Sequence, residues 1–291
     1  MLFIHGITVF IMLVLNKGSV IVLASSSDWE TIEALAEEHP YVVAVLNHKK
    51  DYVCTGTVIN KMTVLTSGGC IAPVPRYVAV ATAVFGKNVN NNSIFKVSST
   101  KLHADFILDI EEENLNINQM HSNIGLIFTV QPFLDYFLES AIIGNYYASE
   151  LKDKKLLMVG FGPIGASEAI VLQQQTYHQI ACMNPKWYYC ICGIEYTVIT
   201  YEEPFGEGAP ILYKNVVVGV AATTSGSLVM NRNINYNIFT VIGPYLQWIE
   251  KSNQHLVLEF KEKKSNNVWA TRYENRFLII ITYVIINKLV I

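Results

Sequence analysis

Cys54-Thr55-Gly56-Thr57-Val58-Ile59, followed by Val64-Leu65-Thr66-Ser67-Gly68-Gly69-Cys70, is the stretch on which the fold turns. Both are short runs of β-forming residues, and the second breaks on a Ser-Gly-Gly step before a cysteine. Outward from it the chain repeats the pattern. Tyr41 to Leu46, Tyr77 to Phe85, Ile94 to Val97 and Ile124 to Val130 form one set of β-type runs. Leu156 to Phe161, Ala169 to Gln175, Trp187 to Cys192 and Ile211 to Ala222 form a second. Many short strands at regular spacing with few helical patterns between them predict an all-β sandwich or barrel. The more polar stretch from about Gln131 to Asp153 divides the strands into two similar groups, so two barrels in tandem fit. From Val241 to Ile249 an apolar stripe with Pro244 in its first turn predicts a closing helix.

The composition agrees with a folded, secreted chain. Of 291 residues 51% are hydrophobic and only 15% charged, against about 25% charged in ordinary globular proteins. A core can therefore be buried. The net charge is -3, with Lys and Arg scattered, which argues against nucleic acid as a partner. Residues 1–24 combine apolar runs with a small-residue exit at Ala24-Ser25-Ser26-Ser27 and are expected to be a signal peptide. Asn16-Lys17-Gly18 interrupts them, and a non-cleaved membrane anchor is the alternative, although each run falls short of a span.

The five cysteines, Cys54, Cys70, Cys182, Cys190 and Cys192, fit two bridges and one spare thiol in an oxidising compartment. Without paired Cys-x-x-Cys spacing or a nearby histidine, no metal site is expected, and no cofactor. Asn91 opens the sequon Asn91-Asn92-Ser93 and is the expected glycosylation site. After residue 253 a charged spacer leads to the apolar tail Phe277 to Ile291, read either as a lipid-anchor signal or as an extension packed on or frayed from the domain.

Over roughly residues 32–252 these blocks, in order, resemble the landmarks of the chymotrypsin/trypsin-like serine protease family. His39 to Leu46 resembles the first core strand, and Cys54 to Ile59 the strand C-G-G-S-L-I. Val64 to Cys70 resembles V-L-T-A-A-H-C, and Ser122-Asn123-Ile124-Gly125-Leu126 the block D-I-A-L. Val159-Gly160-Phe161-Gly162 resembles the G-W-G turn, Cys190-Ile191-Cys192-Gly193 the stretch I-C-A-G, and Phe205-Gly206-Glu207-Gly208-Ala209-Pro210 the block G-D-S-G-G-P. Val218 to Val220, Tyr236 to Val241 and Trp248-Ile249 match the closing strands and helix. The resemblance implies two tandem Greek-key β-barrels (chymotrypsin-like) with a C-terminal helix, occupying residues 25–253 with a split near 131–153, and an extension over 254–291. It also implies bridges Cys54–Cys70 and Cys182–Cys192, with Cys190 able to replace Cys192.

The same resemblance places Gly69, Asn123 and Glu207 where the catalytic histidine, aspartate and serine stand. A serine protease needs an imidazole to take the serine proton, a carboxylate to orient it and a hydroxyl to attack. Gly69 has no side chain to take a proton, Asn123 is a neutral amide and Glu207 has no hydroxyl, so the chain is expected not to be an enzyme. In a second alignment the serine is deleted and Glu207 replaces the residue before it; no hydroxyl appears in either case. Phe205 puts the oxyanion hole in doubt, and Trp29-Glu30-Thr31-Ile32 lacks the basic residue at which active relatives are cut. A new acid–base pair of His121 and Glu207 is the catalytic alternative. The former substrate cleft is expected at Tyr201 (floor) and Ala222, Thr223 and Thr224 (wall).

Such inactive homologues, frequent in arthropods, serve as cofactors or decoys in cascades of haemolymph, venom or reproductive fluid. The implied role is a secreted binder of an extracellular protein partner, whether protease, substrate or receptor. A membrane- or lipid-anchored recognition protein and a residual hydrolase are the competing readings.

Overall fold

The computed structural model describes residues 35–80, 84–85, 93–110, 117–133, 139–163, 170–182, 184–195, 206–222 and 237–253. The expected signal peptide, the Asn91 sequon, Phe205, Tyr201, Thr223, Thr224 and the 254–291 extension lie outside them. Two closed six-stranded antiparallel β-barrels follow one another along the chain. The first is β1 (Val42–Leu46), β2 (Tyr52–Asn60), β3 (Thr63–Thr66), β4 (Tyr77–Ala79), β6 (Ile94–Leu102) and β9 (Gly125–Thr129), closed in the order β1-β2-β3-β9-β6-β4. The second is β10 (Lys155–Pro163), β11 (Ile170–Ile180), β12 (Cys190–Glu195), β13 (Pro210–Tyr213), β14 (Val216–Ala221) and β15 (Asn237–Val241), closed by the β10–β11 pairing. The short β5 (Val84–Phe85) adds to the edge of β11.

Strand period explains the core. In β1, Val42, Ala44 and Leu46 join a buried cluster that also holds Val159, Phe161, Leu172, Leu212 and Val217 from the second barrel. Val43 and Val45 point the other way, into a cluster made of first-barrel residues with Val58, Val64, Val78 and Ile127. Successive side chains of a strand face opposite sides, and here both sides are buried, so the run reads as continuously apolar. β10 behaves alike: Leu156 and Met158 enter a second-barrel cluster with Tyr177, Ile211 and Phe239, while Val159 and Phe161 face the shared one.

Four expectations about elements need correction. The run Ile211 to Ala222 is two strands, because Lys214 and Asn215 both adopt positive φ (51° and 61°), the geometry of a tight hairpin turn. Trp187 to Tyr189 is not strand; Trp187 makes an isolated bridge to Met120, and Tyr189 turns at φ 54° before β12 begins. The closing helix starts later than Val241, which ends β15. Gly243–Tyr245 is a 3-10 turn carrying Pro244, and the α-helix runs over 246–253, since proline fits only a first turn. Finally, a hairpin of β7 (Ile107–Ile110) and β8 (Ile117–His121) stands where no strand was expected.

Both bridges are present, Cys54–Cys70 and Cys182–Cys192. Cys190 is free, its Sγ 3.3 Å from the Trp187 carbonyl, and burial pushes its thiol up to about 12. Among the described residues no helix is long and apolar enough to cross a membrane, and no cluster of metal-ligating side chains occurs.

Candidate functional site at Gly69, Asn123 and Glu207

Three separate elements bring Gly69, Asn123 and Glu207 together. Gly69 lies in the one-turn helix Gly68–Ile71 that follows β3. Ser67 caps this turn, its Oγ accepting from the Cys70 N–H at 3.1 Å, as N-cap serines do. Asn123 sits between β8 and β9, fully buried, after Ser122 at φ 47°. Glu207 occupies the tight turn 206–209 before β13, flanked by Gly206 and Gly208 at φ +83° and +78°.

Asn123 is held on every side. Its Oδ1 accepts from the Gly69 N–H at 3.0 Å, and its Nδ2 donates to the Ala222 carbonyl at 3.2 Å. Its own carbonyl accepts from Thr240 Oγ1 at 3.1 Å. An amide satisfies this pocket because it carries both an acceptor and a donor; a carboxylate would set an oxygen against the Ala222 oxygen. Ala222, expected in the cleft wall, thus enters the site through its carbonyl, with its side chain buried.

The Glu207 carboxylate fills the space above Gly69. A β-carbon on Gly69 would collide with Glu207 Oε1, while Leu108 Cδ2 would lie 3.7 Å away. Beside it Phe106 covers Gly68, where a β-carbon would meet the ring at 2.5 Å. Ser67 Oγ donates to Glu207 Oε1 at 3.3 Å, and the Glu207 carbonyl accepts from the Thr55 N–H at 2.8 Å. The glutamate therefore ties the second barrel to β2 and to the cap of the first. Burial pushes its carboxyl above the ordinary value, the Ser67 hydrogen bond opposing. The partner of this carboxylate is thus a side-chain hydroxyl. Ser67 was missed as a site residue, although a serine ahead of Gly-Gly-Cys is an N-cap signal.

His121 does not replace what Gly69 lacks. His121 Nδ1 lies 3.0 Å from the Asp105 carbonyl and 2.9 Å from Ser122 Oγ, and its ring stacks edge-on against Tyr188 and Tyr189. Glu207 has its partner in Ser67, so the alternative pair of His121 and Glu207 is not brought into contact. Ser122 and His121 are within bonding reach of each other. Yet Ser122 is 1% exposed, and its Oγ also accepts from Tyr245 at 3.2 Å, which leaves a substrate carbonyl no approach to it.

Against known proteins, residues 29–133 match the family model Trypsin. Mouse neuropsin, described as a serine protease expressed in the limbic system of the brain, superposes with a TM-score of 0.57 at 14% identity. The match covers 74% of this chain and 94% of that one. The fold is chymotrypsin-like. No curated protein matches the chain. The family match spans the first barrel, where the two blocks quoted first lie; the trypsin-like second barrel is carried by the structural superposition.

A pH dependence follows from Glu207. Its folded-state pKa lies above the ordinary 4.5, so its stabilising contribution is full below the unfolded value and is lost as pH rises through the folded one. Glu207→Gln keeps the shape and removes the titration. Urea unfolding at several pH values should show the wild type losing stability as pH rises above that window's lower edge. The slope from this group is bounded at about 1.4 kcal/mol per pH unit, and the variant should lack that falling component. Parallel curves for both proteins would contradict the burial of this carboxylate.

Proposed function

We propose that this chain is a non-catalytic, secreted serine protease homologue that works by binding a protease, a substrate or a receptor outside the cell. The observation that carries this is the Glu207 carboxylate standing over Gly69, in the volume an imidazole would need. With glycine at the base position no side chain there can take a proton, and a glutamate beside it offers neither an attacking hydroxyl nor room for an added base. Loss of a single triad member already lowers turnover by about 10⁴ to 10⁶, and the three act as a unit. Two disulfides support an oxidising, extracellular setting.

The test is chemical. Folded chain treated with a fluorophosphonate serine probe should take up no label, and a broad peptide and ester panel should turn over no faster than the buffer blank. Stoichiometric labelling of any serine, Ser67 and Ser122 included, would overturn inactivity. For the binding half, immobilised chain is exposed to native extracellular fluid, and an active protease or cascade component should be retained specifically.

A further inference from the structure

The outer face of the second barrel carries a groove that the site at Gly69, Asn123 and Glu207 does not use. It has a volume of about 270 Å³, and Leu157, Leu212, Thr176, Lys155 and Lys214 are among its lining residues. Its position follows from register: Leu157 pairs with Thr176 on one side and Leu212 on the other, which sets two apolar side chains and a hydroxyl side by side. Lys155 opens β10 two residues before Leu157, and Lys214, two residues after Leu212 at the exposed tip of the β13–β14 hairpin, lies at the same end of the groove, with its Nζ 5.2 Å from the centre of the Tyr213 ring.

Charge and size select the occupant. Among the described residues no carboxylate forms an ion pair with either rim lysine. Lys152 and Lys154 adjoin Lys155, with Asp153 the one acid in the run, on a chain whose net charge is -3. The rim is thus locally basic on an acidic molecule. A drug-sized ligand needs about 300 to 1,000 Å³; this volume holds one large side chain. We propose that the groove docks an acidic peptide segment of a partner protein, one apolar side chain entering beside the partly buried Leu157 while neighbouring carboxylates meet Lys155 and Lys214 at one end. The groove is independent of the site at Gly69, Asn123 and Glu207, so the two readings fail separately.

Fluorescence anisotropy of rhodamine-labelled Glu-Glu-Phe-Glu-Glu on the intact chain provides the test. Saturable binding is expected, weakening severalfold as NaCl rises from about 50 to 500 mM. Lys155→Glu with Lys214→Glu should weaken it about tenfold or more, and Thr176→Trp should abolish it by filling the groove with both lysines in place. Both variants are checked for native near-ultraviolet circular dichroism. A Ser-centred peptide should bind markedly less. Failure to saturate at about 1 mM, equal affinity for the Ser-centred peptide, or no change in either folded variant would overturn the assignment.

Discussion

Gly208→Ala should cost more stability than a methyl added at any other described glycine, about 2 to 5 kcal/mol, a large share of the stability of an ordinary domain. Two independent terms add. Gly208 has φ +78°, a left-handed backbone that an L-residue adopts at a cost of about 1–2 kcal/mol. Its β-carbon would also collide with the Thr55 carbonyl oxygen and with Thr66 Oγ1. Neither can yield cheaply. The Thr55 carbonyl is backbone of β2 and already accepts from Thr66 Oγ1 at 2.7 Å, while the Gly208 N–H is committed to the Ala221 carbonyl at 2.9 Å. Overpacking a site of this kind costs about 1–3 kcal/mol more. Gly219→Ala is the control: φ is ordinary there, and the added carbon meets the Thr240 carbonyl at 3.1 Å and Ile211 at 3.4 Å, so about 1 kcal/mol is expected. Urea midpoints for the two variants give the comparison, and near-equal losses would mean that the turn around Glu207 is not held as described.

What the sequence disclosed and what it hid follow from the range of the interactions. Val64 to Cys70 announced a strand, a turn and a cysteine, because all three are local. The hairpin of β7 and β8 left no such mark. Ile107, Asp109 and Ile110 are exposed and Leu108 half-buried, so no alternation sets it apart from a polar loop. The break at Lys214-Asn215 was hidden for the opposite reason. Val217, Val218 and Val220 are buried in more than one cluster, which makes two strands read as one long apolar run. At the centre, the identities at positions 69, 123 and 207 were legible from block order alone. That Ser67 anchors Glu207 across 140 residues, and that the carboxylate itself fills the space over Gly69, are facts of tertiary packing. A one-dimensional pattern carries no record of which side chain fills a neighbour's vacancy.

Replacing both Cys54 and Cys70 by alanine should lower stability by about 3 kcal/mol from chain entropy alone, the closed loop being 16 residues. Packing adds to this, since both cysteines are 1% exposed and belong to the first-barrel cluster with Val58, Val64 and Ile127. The Cys182–Cys192 loop is shorter, 10 residues, which changes the entropic part by only about 0.4 kcal/mol. Burial separates the two bridges more than loop length does, because Cys182 is only partly buried. The first pair should therefore be the costlier to remove, by about 1 kcal/mol or more, in urea unfolding of the two double variants. It also braces the site. Cys70 ends the hydrogen bond from its N–H to Ser67 Oγ at 3.1 Å, and the same oxygen donates to Glu207. Loosening Cys70 should free that serine from its cap, weaken the Ser67–Glu207 link between the barrels and, because that hydrogen bond opposes the upward shift, raise the Glu207 carboxyl further and carry the loss of stability to higher pH. If the Cys54 and Cys70 variant keeps the wild-type pH dependence, the bridge stabilises the barrel without supporting the site beside it.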